Sequence, residues 1–530
     1  MSTLLLLFAA CTGSSGSGSG AVADYRLTLI PFTPPDVNPF AEADRIDLLL
    51  DNGVGEPVRV ALDVPASGES ALAEDLPALE GTRVEVEVYA SGELVGWGRS
   101  EPLTASEGEL EATVFVTVPD SLARLGVLPE EWWAGQGAAL GEGRFVLLGG
   151  AGNRSTKKAD RELEGVWTLD LGAPNEALAF EEVGTLPEYI DAAGDTKTGR
   201  RDFTLTALTA GDAGQFLLAG GSDNIGYKDG TAITSDCRLF DPESLTFSDP
   251  LPSRDTLHVA RANHSAVANQ QGGVLVWGGY GAAPEGRFVD QQDGELYDPV
   301  SRSFSEVEGP RSGGEFVAGS IGVGLAPIGK DGVLVAGGMH TDGSGEWKVV
   351  GTAFGVGFTG EVTMLGEMEA VAAHSMVTLE NGDVLAFGGV EDDGTAHDFS
   401  ETAPATRRVQ RFDAGSGTWD TVGQMEFARA GLTATRISEQ FVLIAGGAAA
   451  WGPLELDDSA NSCVELYDVE ADTSIVLDDC SEGDAAGGLA APSQSPAALF
   501  DPEFGVLFAG GVDGAEGAGV TTTFYALPRD

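Results

Sequence analysis

Seven times along the chain an oily run of about four residues stops at a pair of glycines. The runs are FVLLGG ending at Gly150, FLLAGG at Gly221, VLVWGG at Gly279, VLVAGG at Gly338, VLAFGG at Gly389, FVLIAGG at Gly447 and VLFAGG at Gly511. Each run has the length of a buried strand. Glycine weakens a sheet, so a Gly pair recurring at the same point of a strand marks a repeated structural unit. The first glycines fall at 149, 220, 278, 337, 388, 446 and 510, with intervals of 51 to 71 residues. Repetition at that order of spacing predicts a repeat architecture. After most pairs comes a variable acidic or Gly-rich stretch, then an aromatic–Asp step and a second aromatic. LFDPESLTF sets Phe240 before Phe247, LYDPVSRSF sets Tyr297 before Phe304, and RFDAGSGTW sets Phe412 before Trp419. LYDVEADTS keeps Tyr467 and loses the second aromatic. One more apolar segment precedes each pair, such as HSAVANQ from His264 or HSMVTLE from His374, which predicts four strands per unit.

Upstream the pattern changes. RVEVEVYA alternates Val84, Val86 and Val88 with charged neighbours, and YRLTLIPF, RIDLLLDN and PVRVALDV add further short strands between Gly/Pro turns. The expected organisation is therefore a signal and tether over 1–20, a small β-sandwich over 21–118 and a repeat domain over 119–530. The last unit has one strand, TTTFYAL, after its Gly pair and then ends. The segment Glu111–Leu125, EATVFVTVPDSLARL, is placed to supply the missing strand from the other end.

The oily run closed by Gly-Gly, followed by a Tyr or Phe and then a Trp or Phe, resembles the signature of the kelch-repeat β-propeller family. The resemblance covers about residues 127 to 530 and implies an all-β, seven-bladed propeller with one blade per Gly pair and the glycines where blades pack together. The unit around Phe354 and Phe358 lacks the aromatic–Asp step, and in the first unit Trp167 and Phe180 stand further apart than in the others. The single Trp-Asp dipeptide, Trp419-Asp420, does not recur, which argues against a WD40 propeller.

Charge narrows the partners. The 83 Asp and Glu outnumber 29 Lys and Arg, for a net charge of −54. Such a field repels phosphate backbones and excludes nucleic acid as a partner. The first residues, MSTLLLLFAACTGSSGSGSG, place a short apolar run before Cys11 and a flexible Gly/Ser tract after it. This resembles a bacterial lipoprotein signal and implies acylation of Cys11, outer-membrane or cell-surface localisation, and membrane attachment only through that lipid. Of the other cysteines, Cys463 and Cys480 have a separation suited to a local disulfide in an oxidising compartment, leaving Cys237 free.

Candidate chemistry is sparse. GVGFTG, Gly355 to Gly360, matches a dinucleotide fingerprint but lacks the strand–turn–helix context that gives that pattern meaning. His264 and His374 each stand 14 residues before a Gly pair, a shared phase that makes them occupants of one structural position on the inner strands, not metal ligands. Arg261 and Arg429 share the phase 17 before their pairs; either they line the axial channel and bind anions or they form strand-end salt bridges. No nucleophile elbow or zinc-protease motif occurs, so no catalytic residue is assigned. The acidic loop VEDDG at Val390 lacks EF-hand spacing; no cofactor is expected, with calcium as the alternative. The kelch resemblance extends to a copper radical oxidase and a sialic acid mutarotase. The expectation is nevertheless a monomeric, non-catalytic surface propeller whose loops bind a protein or glycan, with a carbohydrate-active enzyme at the channel mouth as the alternative.

Overall fold

The computed structural model describes most of residues 22–529; the chief stretches outside it are 63–70, 153–160, 224–231, 453–460, 478–488 and 490–494. Cys11 and Cys480 lie outside the described residues. Every regular element among the described residues is a strand. The GVGFTG stretch accordingly joins two strands, Thr352–Val356 and Val362–Glu367, as a hairpin and opens no helix.

The N-terminal strands are β1 (Val22–Phe32), β2 (Arg45–Asp51), β3 (Val58–Leu62), β4 (Ala71–Pro77), β5 (Arg83–Ala90), β6 (Glu93–Arg99) and β7 (Gly108–Thr117). They form one sheet in the order β3-β2-β5-β6-β7-β1-β4, with β1 and β7 parallel. Along β5, Val84, Val86 and Val88 are buried and the glutamates between them point away, as the period of two requires. These valines share a core with Ile46, Leu48 and Leu50 of β2, Tyr25, Leu27 and Leu29 of β1, and Leu110, Val114 and Val116 of β7. Where two separate sheets were expected, hydrogen bonding runs without a break through β6, and both halves of the curled sheet bury this one core.

Downstream, each Gly pair belongs to a four-stranded antiparallel unit. Five of these are separate sheets. Two more, starting at Ser375 and Ala430, join into an eight-stranded sheet through a single parallel pairing of Gln424 with Thr473. The first strands of the seven units are Gln136–Gly141, Thr204–Ala207, Ser265–Ala268, Gly324–Ile328, Ser375–Thr378, Ala430–Arg436 and Ala497–Asp501. Each packs on the next, and the last lies against the first, so they form a closed ring. The units are the blades of a β-propeller. The aromatic–Asp step places cross-strand pairs inside blades: Phe240 and Phe247 have ring centroids 5.0 Å apart, Tyr297 and Phe304 4.9 Å, and Phe412 and Trp419 5.4 Å.

Closure uses both ends of the chain. The strand β8 (Ser121–Val127) pairs antiparallel with Thr521–Ala526 and completes the seventh blade. The segment Glu111–Leu125 is thus divided: its first part is the end of β7, and only its last residues enter the propeller. Over this seam the N-terminal sheet packs directly on the first and last blades. Trp97 lies edge-on to Phe504 at 5.5 Å, Phe115 to Phe524 at 6.3 Å, and the Arg529 guanidinium covers Trp97 at 3.5 Å.

The Gly pairs sit where each second strand ends, and both members have positive φ, for example +62° at Gly220 and +104° at Gly221. The second glycine donates its N–H to a carbonyl of the next blade. Gly150 bonds Arg200 O at 2.8 Å, Gly221 bonds Arg261 O at 2.8 Å, Gly338 bonds Val371 O at 2.8 Å, Gly389 bonds Arg429 O at 2.8 Å, and Gly511 closes the circle onto Trp132 O at 3.1 Å. A Cβ on the first glycine would collide with that same carbonyl. Glycine is required because the blades approach backbone to backbone.

Candidate functional site

First strands begin, and second strands end, on the same face, so the mouth of the axis on that face is built from the residues just before the first strands. One residue per blade there is left-handed: Ala134, Asp202, Asn263, Gly322, Ala373, Gly431 and Ser495, with φ between 51° and 63°. They are joined around the axis by main-chain hydrogen bonds. Asp202 N donates to Ala134 O at 2.9 Å, Asn263 N to Asp202 O at 2.9 Å, Ala373 N to Gly322 O at 2.8 Å, Gly431 N to Ala373 O at 2.8 Å, and Ser495 N to Gly431 O at 2.7 Å. All seven are at least partly exposed. Beneath and around them Ala262, Ile321, Ala372 and Ala430 pack with Tyr280, Met339, Val390 and Trp347 into an apolar floor.

Side chains of the ring divide the mouth. Blades four to six contribute Gly322, Ala373 and Gly431, a smooth arc. On the other side Ser495, Asp202 and Asn263 present polar groups. Arg201 donates to Asp202 Oδ2 at 2.7 Å and lies over the Trp133 ring at 4.2 Å. Trp451 approaches the ring at Gly431. The sequence reading did not single out this ring, although Asp202, Asn263, Gly322 and Gly431 are residue types that tolerate the left-handed region.

The four residues singled out beforehand are elsewhere. Arg261 and Arg429 are fully buried and do not present their charge to the axis. Arg261 reaches Glu295 at 3.2 Å and Asp293 at 3.0 Å and also donates to Gly278 O. Arg429 pairs with Glu465 at 2.8 Å and donates to Gly446 O and Cys463 O, both at 2.8 Å. They are salt bridges inside blades, the second of the two readings. Glu295 and Glu465 also accept backbone N–H groups of the preceding connection, from His258 at 2.7 Å and Glu426 at 2.7 Å. Both glutamates were missed, yet the tetrapeptide ELYD recurs at Glu295 and Glu465, in the same two units that carry the arginines.

His264 and His374 are buried at one repeat position in two blade interfaces, the second–third and the fourth–fifth, where other units place Phe203, Val323 and Leu432. His264 Nε2 meets Thr204 Oγ1 at 3.0 Å. Burial, reinforced by Arg261, pushes its imidazole down to about 3. Burial alone pushes His374 down to about 4, and neither of its ring nitrogens has a hydrogen-bond partner among the described residues. Of the acidic loop at Val390, Glu391 pairs with Arg408 at 3.0 Å and Asp393 lies outside the described residues. Cys237 is a free thiol, fully buried, and burial raises its pKa to about 12, so it is not a nucleophile at neutral pH. On the opposite face a shallow cleft of about 560 Å³ runs between Glu380, Arg411, Glu439 and Glu470.

Ring, Gly pairs and shared-strand closure define the class: a seven-bladed β-propeller with a solvent-facing mouth of mixed polar and aromatic character. No protein-family model matches the chain, and no curated protein does. Among solved structures it is similar to a fungal alcohol oxidase of the AA5 family in complex with copper, with 14% identity over 77% of this chain and 76% of that one and a TM-score of 0.48. It is also similar to YjhT, with 15% identity over 66% of this chain and 99% of that one and a TM-score of 0.43. The mouth does not fit a copper centre built from several imidazoles or carboxylates: no three His, Cys, Asp or Glu side chains converge on a metal position among the described residues.

Proposed function

We propose that the protein is a binding propeller that takes a glycan at the mouth of its axis. The observation that carries this reading is the partly exposed ring, with Asp202, Asn263 and Ser495 on one arc and the partly exposed indoles of Trp133 and Trp451 around it. Sugars present apolar C–H faces to indole rings and hydroxyls to carboxylate, amide and hydroxyl groups, and this arc offers both, while Arg201 is buried and holds the Asp202 carboxylate. The net charge of −54 favours neutral or cationic ligands over acidic ones. The short strand pairs that follow the Gly pairs, such as Tyr280–Ala282 with Phe288–Asp290 and Met339–Thr341 with Trp347–Val349, start at the same end of the blades and supply selectivity. A protein partner at these loops and a carbohydrate-active enzyme at the channel mouth are the competing readings. A glycan array, run beside sugar oxidase and epimerase assays on the hits, separates them. Binding that Asp202→Ala and Trp133→Ala each weaken at least tenfold, without turnover, supports the proposal. Turnover that these variants abolish replaces it with the enzyme, and a blank array with capture of a defined protein replaces it with a protein-binding role.

Two features of placement accompany this proposal. Acylation of Cys11, followed by the Gly/Ser tract, would hold the propeller at a bacterial cell surface; mass spectrometry of the N-terminal peptide tests it. A bridge between Cys463 and Cys480 would pin the start of the strand Val464–Asp468, and its support is that Cys463, unlike Cys237, is not a free thiol. Non-reducing peptide mapping decides the pairing.

A further inference from the structure

The left-handed ring at the mouth is bonded at five of its seven joints, and each bond runs from one ring residue back to the ring residue of the preceding blade. Two joints lack it. Gly322 N does not meet Asn263 O, between the third and fourth blades, and Ala134 N does not meet Ser495 O, between the seventh and the first. Among the described residues none of these four groups has another partner. Their φ values, 51° to 60°, match those at the bonded joints, so at each break an N–H and a carbonyl face one another without bonding. The two breaks are built alike. On the carbonyl side stands a polar side chain that makes no hydrogen bond among the described residues, the Asn263 carboxamide or the Ser495 hydroxyl, and on the N–H side stands a small residue, Gly322 or Ala134. The partly exposed Trp133 directly precedes Ala134, and the Ser495 hydroxyl and the Trp451 indole come together over Gly431, 3.1 and 3.5 Å from where a Cβ would stand there.

We infer that these two breaks are the hydroxyl-reading positions of the glycan site, and that its ligand is an uncharged oligosaccharide of at least two units lying across the mouth. The inference rests on the glycan reading above. An open N–H beside an open carbonyl calls for one group that accepts from the first and donates to the second. A hydroxyl does both, as does an acetamido group. A carboxylate or phosphate only accepts and an ammonium only donates, so each would leave one main-chain group unmet. Water can serve both groups too, and a sugar hydroxyl replaces it bond for bond. In ring order the breaks are three residues apart one way and four the other, so they lie on opposite sides of the mouth. With hydrogen-bonded neighbours about 4.8 Å apart, a ring of this size is about 11 Å across. One sugar unit reaches one break, and two linked units reach both.

Amide NMR of the full chain carrying nitrogen-15 alanine and glycine tests this, because Ala134 and Gly322 hold the two open N–H groups while Ala373 and Gly431 hold bonded ones in the same ring. Carbon-13 at the tryptophan carbonyls singles out Ala134, which follows the only Trp–Ala step of the chain. Loss of a signal in Gly322→Asn, which carries the residue type of Asn263 at the same ring position, marks Gly322. In the unliganded chain Ala134 and Gly322 are expected to exchange with solvent at least tenfold faster than Ala373 and Gly431. Cellobiose, maltose, lactose and diacetylchitobiose are then titrated beside their constituent monosaccharides, with any neutral oligosaccharide that the glycan array returns. A neutral disaccharide is expected to move both open amides together, saturate at one per chain and bind at least tenfold more tightly than its single units. Should Gly322→Asn not fold, the Ala134 signal decides alone. Equal exchange at all four amides overturns the inference and leaves the glycan site standing. So does binding confined to charged glycans, binding no tighter for two units than for one, or a bound sugar that Trp133→Ala weakens but that leaves the Ala134 and Gly322 signals in place. A panel and an array that are both blank overturn the inference and the glycan reading together.

Discussion

A methyl group on Gly220 would strike the Arg261 carbonyl of the neighbouring blade while the backbone there is held at φ +62°. Two costs coincide: the left-handed conformation, about 1 kcal/mol for a residue with a side chain, and displacement of a packed backbone, about 1–3 kcal/mol. Gly220→Ala is therefore expected to lower stability by about 2–4 kcal/mol in denaturant titration. Gly417→Ala, at φ +70° with open space around it, should lose only the first part, about 1 kcal/mol. His264 is the acid-sensitive counterpart. Folded, it stays neutral down to about pH 3, whereas unfolded it takes up a proton near 6.5. Between those values the unfolded chain binds more protons, so stability falls as pH drops below about 6.5, by up to about 1.4 kcal/mol per unit. His264→Val, which adopts the residue type of Val323, should flatten that slope in melts recorded from pH 7 to pH 4.

Within the blades, the strands obey signals that can be read locally, and their cross-connections do not. Four strands per unit, the Gly pairs at second-strand ends and the aromatic pairs all follow from short windows of sequence. The destination of Arg429 is Glu465, 36 residues on, and no local window shows it. The two readings of the arginines stayed open for that reason, although the recurring ELYD step was the available clue. The sixth blade shows how such a connection replaces packing. Ser474 stands where the second aromatic would be and donates to Glu465 Oε2 at 2.6 Å, while Tyr467 turns to Phe387 at 5.2 Å and to Asp472 at 3.0 Å. Glu465→Ala would leave Arg429 charged and buried, so it is expected to cost about 3–5 kcal/mol. Removing the exposed Arg302–Asp212 pair should cost less than about 1 kcal/mol. Chemical denaturation of the two variants side by side checks the contrast. The axial ring escaped notice for a related reason: its bonds join residues some sixty positions apart, and its left-handed backbone is announced by no single residue type.

At the scale of the molecule, the curled N-terminal sheet lies across the joint where the two ends of the propeller meet. Trp97, Arg99, Phe115 and Glu503 tie it there, with Arg99 bridging Asp51 and Glu503 at 3.6 and 3.2 Å. Tyr525 adds a bond to Asp120 at 2.6 Å, across 405 residues of chain. The partner of β8 thus leaves the ribosome more than 390 residues after β8 itself. During synthesis the early blades can pair internally, but β8 must wait with one edge uncovered. Closure is consequently an event of very high contact order, slow by nature. Until it happens the nascent chain carries open strand edges of the kind that invite self-association. A chain built this way depends on the strand Thr521–Ala526 to cover the edge that its own beginning leaves open.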